Sequence, residues 1–249
     1  MFNVTDMQII KLNATNSTST YLKNLISGDL LEDFTVVVAQ KQLEGRGQMG
    51  TSWVSDEGKN LTFSLLKKVD ALPVMEQFVL NIIVSLAIYD AINKLNVPDL
   101  RIKWPNDILS GNTKICGILI ENLLSGKNIQ SSVIGIGLNV NQIQFGELPN
   151  VSSLKSILGQ TFDLNELLVS IVESIKKGFM VSEEKSIAQL KTEYEKLLFR
   201  KDKPSTFKNQ KDGMFMGFIR GISQQGKLLV TLEDDVLKEF DLKEIKLLY

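Results

Sequence analysis

The stretch Gly45-Arg46-Gly47-Gln48-Met49-Gly50, closed by Trp53, carries most of the information in this chain. It follows residues 34–39, an apolar run with the composition of a buried strand. Three glycines in six residues let the backbone approach a ligand closely and leave several N–H groups free to face an anion. The spacing also matches G-x-G-x-x-G, the fingerprint of dinucleotide-binding folds.

The residues after this loop argue against a dinucleotide-binding fold. In that fold the third glycine opens a helix whose N-terminus holds the pyrophosphate. Residues 51–60 are instead polar, contain another glycine and lack the apolar spacing of a helix, and residues 61–66 alternate like a strand. We therefore interpret the stretch as a strand-to-strand loop with one cation, Arg46. The alternative is a solvated glycine-rich loop that binds nothing.

Composition narrows the class of protein. A chain of 249 residues with 43% hydrophobic residues can build one sizeable domain and a small second one. The net charge of −1 provides no chain-wide basic field, so we expect no nucleic-acid partner. No signal-peptide pattern is present, and Asn81, Ser85 and Asp90 interrupt the longest apolar segment. We expect a cytoplasmic protein without a membrane partner.

Two residue types limit the chemistry. The chain has no histidine, which excludes Ser-His-Asp and Cys-His nucleophile systems and histidine-ligated zinc. Its one cysteine, Cys116, cannot form an intrachain disulfide. Catalysis must therefore depend on lysine, arginine, carboxylate, amide, hydroxyl and backbone groups, or on a hard metal ion.

The order of the elements predicts an α+β fold, a mixed sheet with helices. Strand patterns and hairpins stand beside one long apolar helix at residues 73–96, an order that disfavours a doubly wound sheet. Lys201-Asp202-Lys203-Pro204 has the composition of a linker, and short alternating runs follow it. We expect a larger domain at 1–200 and a small all-β domain at 201–249 that packs against it.

Three further segments carry groups suited to ligand binding. Asn106 and Asp107 follow a proline at a strand end and could hold hydrated Mg²⁺ or a ribose, or form an ordinary turn. Lys114 precedes Gly117 by three residues, and a small residue there leaves room for a ligand on the strand. Residues 135–141 end another strand with small residues, which would suit a flat ligand or a bulge.

In order and spacing, these segments resemble the catalytic core of biotin protein ligases. The resemblance covers nearly the whole chain and rests on the following motifs: Ser17-Thr18, the Gly-Arg-Gly loop ending in Trp53, Lys103-Trp104-Pro105-Asn106-Asp107, Lys114 seven residues after that aspartate, and Gly135-Ile136-Gly137-Leu138-Asn139. The loop and the Lys-Trp-Pro-Asn-Asp motif are together highly specific.

The resemblance implies a two-step reaction with ATP, Mg²⁺ and biotin. Biotin and ATP form biotinyl-5′-AMP and pyrophosphate, and a lysine of a biotin carboxyl carrier protein or domain then takes the biotin and releases AMP. It also implies a small β-barrel of the Src-homology-3 type at the C-terminal end of the catalytic domain. The oligomeric state, monomer or homodimer, stays open.

Site roles follow from the same resemblance, position by position. Lys114 and Arg46 would be catalytic, and Asp107 would lie near Mg²⁺. Biotin would contact Ser17, Thr18, Ser19, Gln42, Gly45, Arg46, Gly47, Gln48, Lys114 and Gly117. The nucleotide would contact Trp53, Asn106, Lys114 and Asn139.

The chain departs from the family pattern at three places. Gln48 stands where a further cation is common, and a second basic residue is missing near Thr51. Ser19 replaces an asparagine that follows Ser-Thr in the family. Only 16 residues precede Ser17, too few for the DNA-binding domain of many bacterial members, so we expect no repressor function.

Two alternatives to a biotin ligase remain. One is a lipoate or octanoyl ligase or transferase on the same scaffold, although an octanoyl transferase needs a reactive cysteine and Cys116 lies between Ile115 and Gly117 in a strand pattern. The other is a non-catalytic adaptor that binds a carrier domain. The presence of Arg46 and Lys114 together with Asn106 and Asp107 disfavours it, because an idle site has no reason to hold all four.

Overall fold

A seven-stranded mixed sheet forms the centre of the larger part of the molecule. The computed structural model describes residues 7–28 and 30–249. The strands are β1 (Ile9–Thr15), β2 (Val36–Gln42), β3 (Leu61–Pro73), β4 (Leu100–Lys103), β5 (Asp107–Ser110), β6 (Thr113–Ser125) and β7 (Asn128–Leu138). Their order is β1-β2-β3-β7-β6-β5-β4, and only β1 and β2 pair in parallel.

Helices cover the two faces of this sheet. They are α1 (Thr18–Gly28), α2 (Phe78–Asn93), α3 (Leu154–Leu158), α4 (Leu164–Glu183) and α5 (Ile187–Lys196). Helix α1 contacts β2, β3 and β7, whereas α2 contacts β4, β5 and β6 and packs against α4 and α5. Side-chain caps fix where two of the helices begin, because Asp163 accepts from the first turn of α4 and Ser186 forms a capping box with Gln189 at α5.

The alternation in β3 explains why the sheet has two different faces. Leu61, Phe63 and Leu65 belong to the main core beside α2, while Leu66 belongs to a smaller core beneath α1. Ser64 points with Leu66 to the α1 side, where it is fully buried. The α1 face therefore contains polar groups next to apolar ones, as a ligand site requires.

A second, five-stranded antiparallel sheet follows α5. Its strands are β8 (Pro204–Asn209), β9 (Met214–Ile222), β10 (Leu228–Leu232), β11 (Leu237–Phe240) and β12 (Ile245–Leu248), in the order β11-β10-β9-β8-β12. The rings of Phe207, Phe215 and Phe240 stack in series, with centroids 5.4 and 5.6 Å apart. We refer to residues 204–248 as the β module.

The β module is attached to the larger part of the molecule by specific contacts. Trp104 Nε1 donates to the carbonyl oxygen of Gly226 at 2.8 Å, and the Ile222 N–H donates to Glu195 Oε1 at 2.9 Å. Apolar residues of the module, Phe207 and Val230 among them, belong to the same core cluster as α2. The β module is too small to bury much apolar surface by itself, and it buries more by packing against the larger part of the molecule.

The predicted α+β class is confirmed, with corrections to individual elements. The long helix begins at Phe78 after a 3₁₀ turn at Val74–Glu76, and α3 was not predicted. Strands β8 and β12 were also missed. Residues 201–204, which we expected to be a linker, are part of the folded β structure. Lys201 forms a β-bridge to Ile219, and Pro204 is the first residue of β8.

Helix α2 also corrects the argument against a membrane span. By length and composition, Val74–Asn93 is apolar enough to cross a membrane, so Asn81, Ser85 and Asp90 do not exclude one. However, 56% of its most apolar window is buried inside the protein, where α2 packs against the sheet and α4. The apolar surface of this helix therefore has its partners within the fold.

Candidate functional site

One cavity of about 390 Å³ brings most of the predicted site residues together. It lies where the start of α1, the glycine loop and the strands β5, β6 and β7 meet. Of the predicted residues, its lining contains Ser17, Thr18, Ser19, Gln42, Arg46, Gly47, Gln48, Trp53, Asn106, Asp107, Lys114 and Gly117. Segments far apart in the chain thus contribute to one concave surface.

Paired backbone hydrogen bonds shape the glycine loop as a narrow hairpin. The Trp53 N–H donates to the Gly45 carbonyl oxygen at 2.9 Å, and the Gly47 N–H donates to the Thr51 carbonyl oxygen at 2.7 Å. The turn passes through Met49 and Gly50, which have φ angles of +57° and +81°. No helix follows, so the interpretation of a strand-to-strand loop agrees with the structure.

The Trp53 indole lies on a floor made of glycines. Gly117 of β6 pairs with Gly137 of β7, and a Cβ atom at Gly137 would lie only 2.8 Å from Trp53 Cδ2. A Cβ atom at Gly117 would be 3.1 Å from both Trp53 Cζ3 and Lys114 Nζ. Side chains at these positions would displace the indole, which explains the small residues in both strands.

Hydroxyl and amide groups form a connected network at the start of α1. Gln42 Oε1 accepts from the Thr18 N–H at 2.8 Å and from the Thr18 hydroxyl at 3.1 Å. Ser64 Oγ lies 2.8 Å from Thr18 Oγ1 and 2.9 Å from Ser19 Oγ. The hydroxyls of Thr18, Ser19 and Ser64 are buried, and a connected network of this kind holds its members in fixed orientations.

Ser64 is the residue of this network that sequence reasoning missed. It lies in β3 opposite Gly135, and a Cβ atom at Gly135 would be 2.9 Å from Ser19 Oγ. The signal was available in part, since a serine alternates with apolar residues in residues 61–66. Which hydroxyls it meets depends on strand pairing, which the spacing does not reveal.

Cations and one carboxylate define the electrostatics of the cavity. Lys114 Nζ lies 2.6 Å from Asp107 Oδ1, and Lys103 Nζ lies 3.5 Å from Asp107 Oδ2. Lys114 Nζ is also 5.5 Å from the centroid of the Trp53 ring, within the range of a cation–π contact. The exposed Arg46 guanidinium donates to the Thr20 hydroxyl. Positive charge therefore reaches the cavity from the loop and from three strands, one of them β12 of the β module.

Three predicted residues have structural contacts that the motifs did not indicate. Asn106 lines the cavity, but its amide donates to the Ile118 carbonyl oxygen in β6. Asn139 does not line the cavity, and its amide donates to the Ser152 carbonyl oxygen at 3.0 Å. Gly45 lies outside the lining at the base of the loop, where the Trp53 carbonyl leaves no room for a Cβ atom.

Comparison with known proteins agrees with this geometry. Residues 12–139, just over half of the chain, match the model of the biotin/lipoate A/B protein ligase family. The chain belongs to the biotin/lipoate A/B protein ligase family. The matched range contains every site residue discussed above except Ser152.

Individual members of this ligase family resemble the chain along most of its length. The biotin–[acetyl-CoA-carboxylase] ligase of Paracoccus denitrificans is 33% identical over 63% of this chain and 67% of that protein. The bifunctional ligase/repressor BirA of Bacillus spizizenii is 30% identical over 82% of this chain. The alignment covers 63% of that relative's length.

A solved structure of a ligase matches the complete architecture. The biotin protein ligase of Aquifex aeolicus in complex with biotin and ATP has a TM-score of 0.79, with 27% identity over 97% of this chain and 98% of that chain. The biotin protein ligase of Leishmania major in complex with biotinyl-5-AMP, at 20% identity and a TM-score of 0.66, shares the fold. Both sheets therefore belong to the biotin protein ligase fold.

The side chains of the candidate cavity could hold a metal ion only if substrate or water supplied most of its ligands. In the parts of the chain that the structure describes, no group of three or more acidic, histidine or cysteine side chains gathers around Asp107 or elsewhere. Lys114 and Lys103 already neutralise Asp107. A magnesium ion near it would have to take its other oxygen ligands from phosphate and water, as is usual for this ion.

Cys116 is protected from reaction in this member of the ligase family. The side chain is fully buried, and burial raises the pKa of its thiol to about 12. The Lys114 ammonium lowers that pKa and the Asp107 carboxylate raises it, but both effects are smaller than that of burial. A thiol that stays protonated at neutral pH is a poor nucleophile, which disfavours octanoyl transfer through a cysteine.

Proposed function

We propose that this protein is an ATP-dependent biotin protein ligase. It activates biotin as biotinyl-5′-AMP and transfers biotin to a lysine of a biotin carboxyl carrier protein or domain. The main support is that Thr18 and Ser19, whose hydroxyls both contact the buried Ser64, line one cavity with the cations Arg46 and Lys114. Polar groups that suit a ureido ring and cations that suit a carboxylate and a phosphate are thereby available to one ligand.

The chemistry requires two anions to meet. An oxygen of the biotin carboxylate attacks the α-phosphorus of ATP and a new C(O)–O–P bond forms. The bond from that phosphorus to the β-bridging oxygen breaks, and its electron pair leaves with pyrophosphate. Arg46 and Lys114 reduce the repulsion between the reactants and stabilise the charge of the transition state, so no histidine base is needed.

The second step uses the same cavity. A carrier lysine attacks the carbonyl carbon of the mixed anhydride as its free amine, and an amide bond forms. The bond from that carbon to the phosphate oxygen breaks, its electron pair leaves with AMP, and the amine gives up one proton to solvent. Lys114 is suited to stabilise the leaving phosphate. Magnesium, when bound with ATP, supplies further charge neutralisation at the phosphates, and Asp107 is the residue that would hold it.

One assay separates this proposal from the alternatives. The protein is incubated with Mg-ATP, a carrier domain and either biotin or lipoate, and pyrophosphate release and the mass of the carrier are measured. Biotin-dependent pyrophosphate release with a carrier mass increased by one biotinyl group is expected. Release that depends on lipoate assigns the lipoate reaction, and no release with either acid assigns the adaptor role.

The remaining expectations belong to the same proposal. We place the catalytic domain at 1–200 and the small β-barrel domain at 201–249, supported by the two separate sheets. The net charge of −1 supports a ligase that does not bind DNA, which a shift assay with operator DNA tests. Location in the cytoplasm, where biotin carriers and ATP meet, and a monomer or homodimer complete the proposal.

A further inference from the structure

The hydroxyl of Tyr194 lies inside the main core and contacts a turn of the candidate site. Tyr194 belongs to α5, is fully buried and packs edge-on against Phe78, with ring centroids 6.0 Å apart. Its hydroxyl donates to the Pro105 carbonyl oxygen at 3.2 Å, its one hydrogen bond to the described residues. A phenylalanine would fill the same apolar space, and burying a hydroxyl costs free energy unless it is hydrogen-bonded. The contact with Pro105 therefore accounts for a tyrosine at this position.

This phenol is a permanent hydrogen-bond donor. Burial raises the pKa of Tyr194 far above its ordinary 10.0, and the Asp107 carboxylate raises that pKa further, to a smaller extent. The O–H group therefore stays protonated throughout the neutral range and well above it. The carboxylate of the candidate site is thus near enough to act on the buried phenol.

Pro105 lies in the turn that carries Asp107 to Lys114. Residues 104–106 connect β4 to β5, and Lys103 pairs with Asp107 across this turn. Asp107 is the first residue of β5, and its Oδ1 atom lies 2.6 Å from Lys114 Nζ. A shift of the carbonyl group two residues earlier therefore changes the direction of the carboxylate.

The two neighbours of Pro105 are held by other elements. Trp104 Nε1 donates to the β module, and the Ile118 N–H of β6 donates to the Asn106 carbonyl oxygen at 2.9 Å. Proline has no N–H group, so its carbonyl oxygen is the backbone group through which it can be held. Tyr194 thus fixes the middle of the turn from the core side.

Helix α5 is itself fixed on both sides of Tyr194. The capping box of Ser186 and Gln189 determines where the helix begins. Just past its end, the Leu197 carbonyl oxygen accepts from the Ile102 N–H of β4 at 2.9 Å. The hydroxyl is therefore presented by a rigid element, as precise support of a site requires.

We infer that Tyr194 is a positioning residue, which acts through Pro105 to set the orientation of Asp107 towards Lys114. The inference rests on the proposed function, in which Lys114 stabilises charge during adenylation. Tyr194 does not line the candidate cavity. Its effect should therefore appear in the rate of the chemical step and not in the binding of biotin.

Tyr194→Phe, which removes only the hydroxyl, tests this role. The kcat of biotin-dependent pyrophosphate release should fall about three- to tenfold, the range expected for one neutral hydrogen bond, with an unchanged KM for biotin. The control is Tyr89→Phe, at a partly buried tyrosine of α2 that does not line the cavity. An unchanged kcat in Tyr194→Phe overturns the inference, and so does an equal fall in both variants.

A stability control separates positioning from packing. Tyr194→Phe leaves the Pro105 carbonyl without this donor and should lower the melting temperature. Ile171→Val, at a fully buried residue of α4, lowers it by removing one carbon from the same core. With kcat measured below both melting temperatures, only Tyr194→Phe should be slower. An equal loss of kcat in the two variants assigns the effect to stability and contradicts a positioning role.

Labelling of Lys114 provides a readout that needs no enzymatic activity. The charge-assisted contact with Asp107 makes the Lys114 amine less available to a reagent such as acetic anhydride. Tyr194→Phe should raise its labelling about two- to threefold relative to Lys211, at an exposed turn, as measured by mass spectrometry of peptides. Equal labelling in wild type and variant overturns the inference. Raised labelling in a protein whose wild type does not adenylate biotin supports the positioning role and refutes the proposed function.

Discussion

Lys114 Nζ and Asp107 Oδ1 are 2.6 Å apart, and they come from neighbouring strands whose pairing places Asp107 opposite Gly117. The carboxylate is more buried than the ammonium, with side-chain exposures of 13% and 30%. Asp107 therefore holds the lysine head group in the cavity, where part of it remains accessible to a ligand. The lysine is oriented before substrates arrive, which is the condition for electrostatic stabilisation of a transition state.

Replacing Lys114 by alanine should remove most adenylation while the protein stays folded. Loss of one charged contact to a transition state lowers the rate by roughly 10²–10³-fold. Pyrophosphate release with biotin and ATP measures the effect, circular dichroism checks the fold, and Lys211→Ala, at an exposed turn, is the matched control. Near-normal release by the Lys114 variant would show that this lysine is not catalytic.

Gln48→Arg should lengthen the time for which biotinyl-5′-AMP stays bound. Gln48 lines the candidate cavity, where the loop now carries only the charge of Arg46. A second guanidinium adds a charge-assisted hydrogen bond to the phosphate, worth about 1.5–3 kcal/mol before screening. Dissociation of the preformed adenylate is followed after dilution into a trap. An unchanged half-life contradicts a holding role for this position.

Ser64→Ala should raise the KM for biotin with little change in kcat. Its hydroxyl contacts the hydroxyls of Thr18 and Ser19. Losing it should therefore disturb the orientation of the groups that bind biotin, and leave the rate of adenylation by the two proposed catalytic cations almost unchanged. Restored binding in Ser64→Thr, which keeps a hydroxyl, distinguishes this role from simple packing. An equal fall in kcat and kcat/KM argues for a different function of Ser64.

Gly137→Ala should displace the Trp53 indole. The added methyl group would lie 2.8 Å from Trp53 Cδ2, too close for an ordinary contact, and overpacking of this kind costs about 1–3 kcal/mol. Tryptophan fluorescence and the KM for ATP report the change. The control is Gly28→Ala, where a Cβ atom meets nothing within 4 Å. Indistinguishable spectra for the two variants would contradict the packing described above.

The contribution of Cys116 to the free energy of unfolding should depend on pH only in the alkaline range. Burial raises the pKa of the thiol from its ordinary 9.0 to about 12 in the folded protein. Its contribution is therefore complete below pH about 9 and is lost as the pH rises towards 12. The difference in free energy of unfolding between wild type and Cys116→Ala should shrink from pH 8 to pH 10.5, and the variant should match the wild type in the proposed adenylation reaction.

Local pattern predicted the elements whose residues repeat at short spacing. The strands at residues 34–39 and 61–66 and the helix α2 were found in this way, because burial leaves a recognisable apolar pattern in the sequence. Strand β8 was not found, since it begins at Pro204 within a charged stretch that has the composition of a linker. The structure shows that this segment pairs with both β9 and β12 and buries Phe207 in the core, and both contacts depend on residues distant in the sequence.

The sequence predicted which residue types form the candidate site, but it did not always predict which of those residues touch each other. Lys114 and Asp107 are seven residues apart, and their motifs indicated a shared site before their pairing was known. The contact between Ser64 and Thr18 depends on the packing of α1 against β3, and the position of Trp53 depends on the register of Gly117 with Gly137. Such relationships arise from pairing between distant segments, and a linear sequence does not display them.

The hydrogen bond from Trp104 to Gly226 has a practical consequence for anyone who wants a smaller version of this protein. Trp104 adjoins Lys103 and lies two residues before Asn106, both of which line the candidate cavity. A chain cut after residue 200 would leave its indole N–H without an acceptor and expose the apolar residues that Val230 and Phe207 cover. Trimming the C-terminal fifth of the molecule would thus loosen the segment that carries Lys103 and Asn106, and a shortened variant would have to replace that anchor.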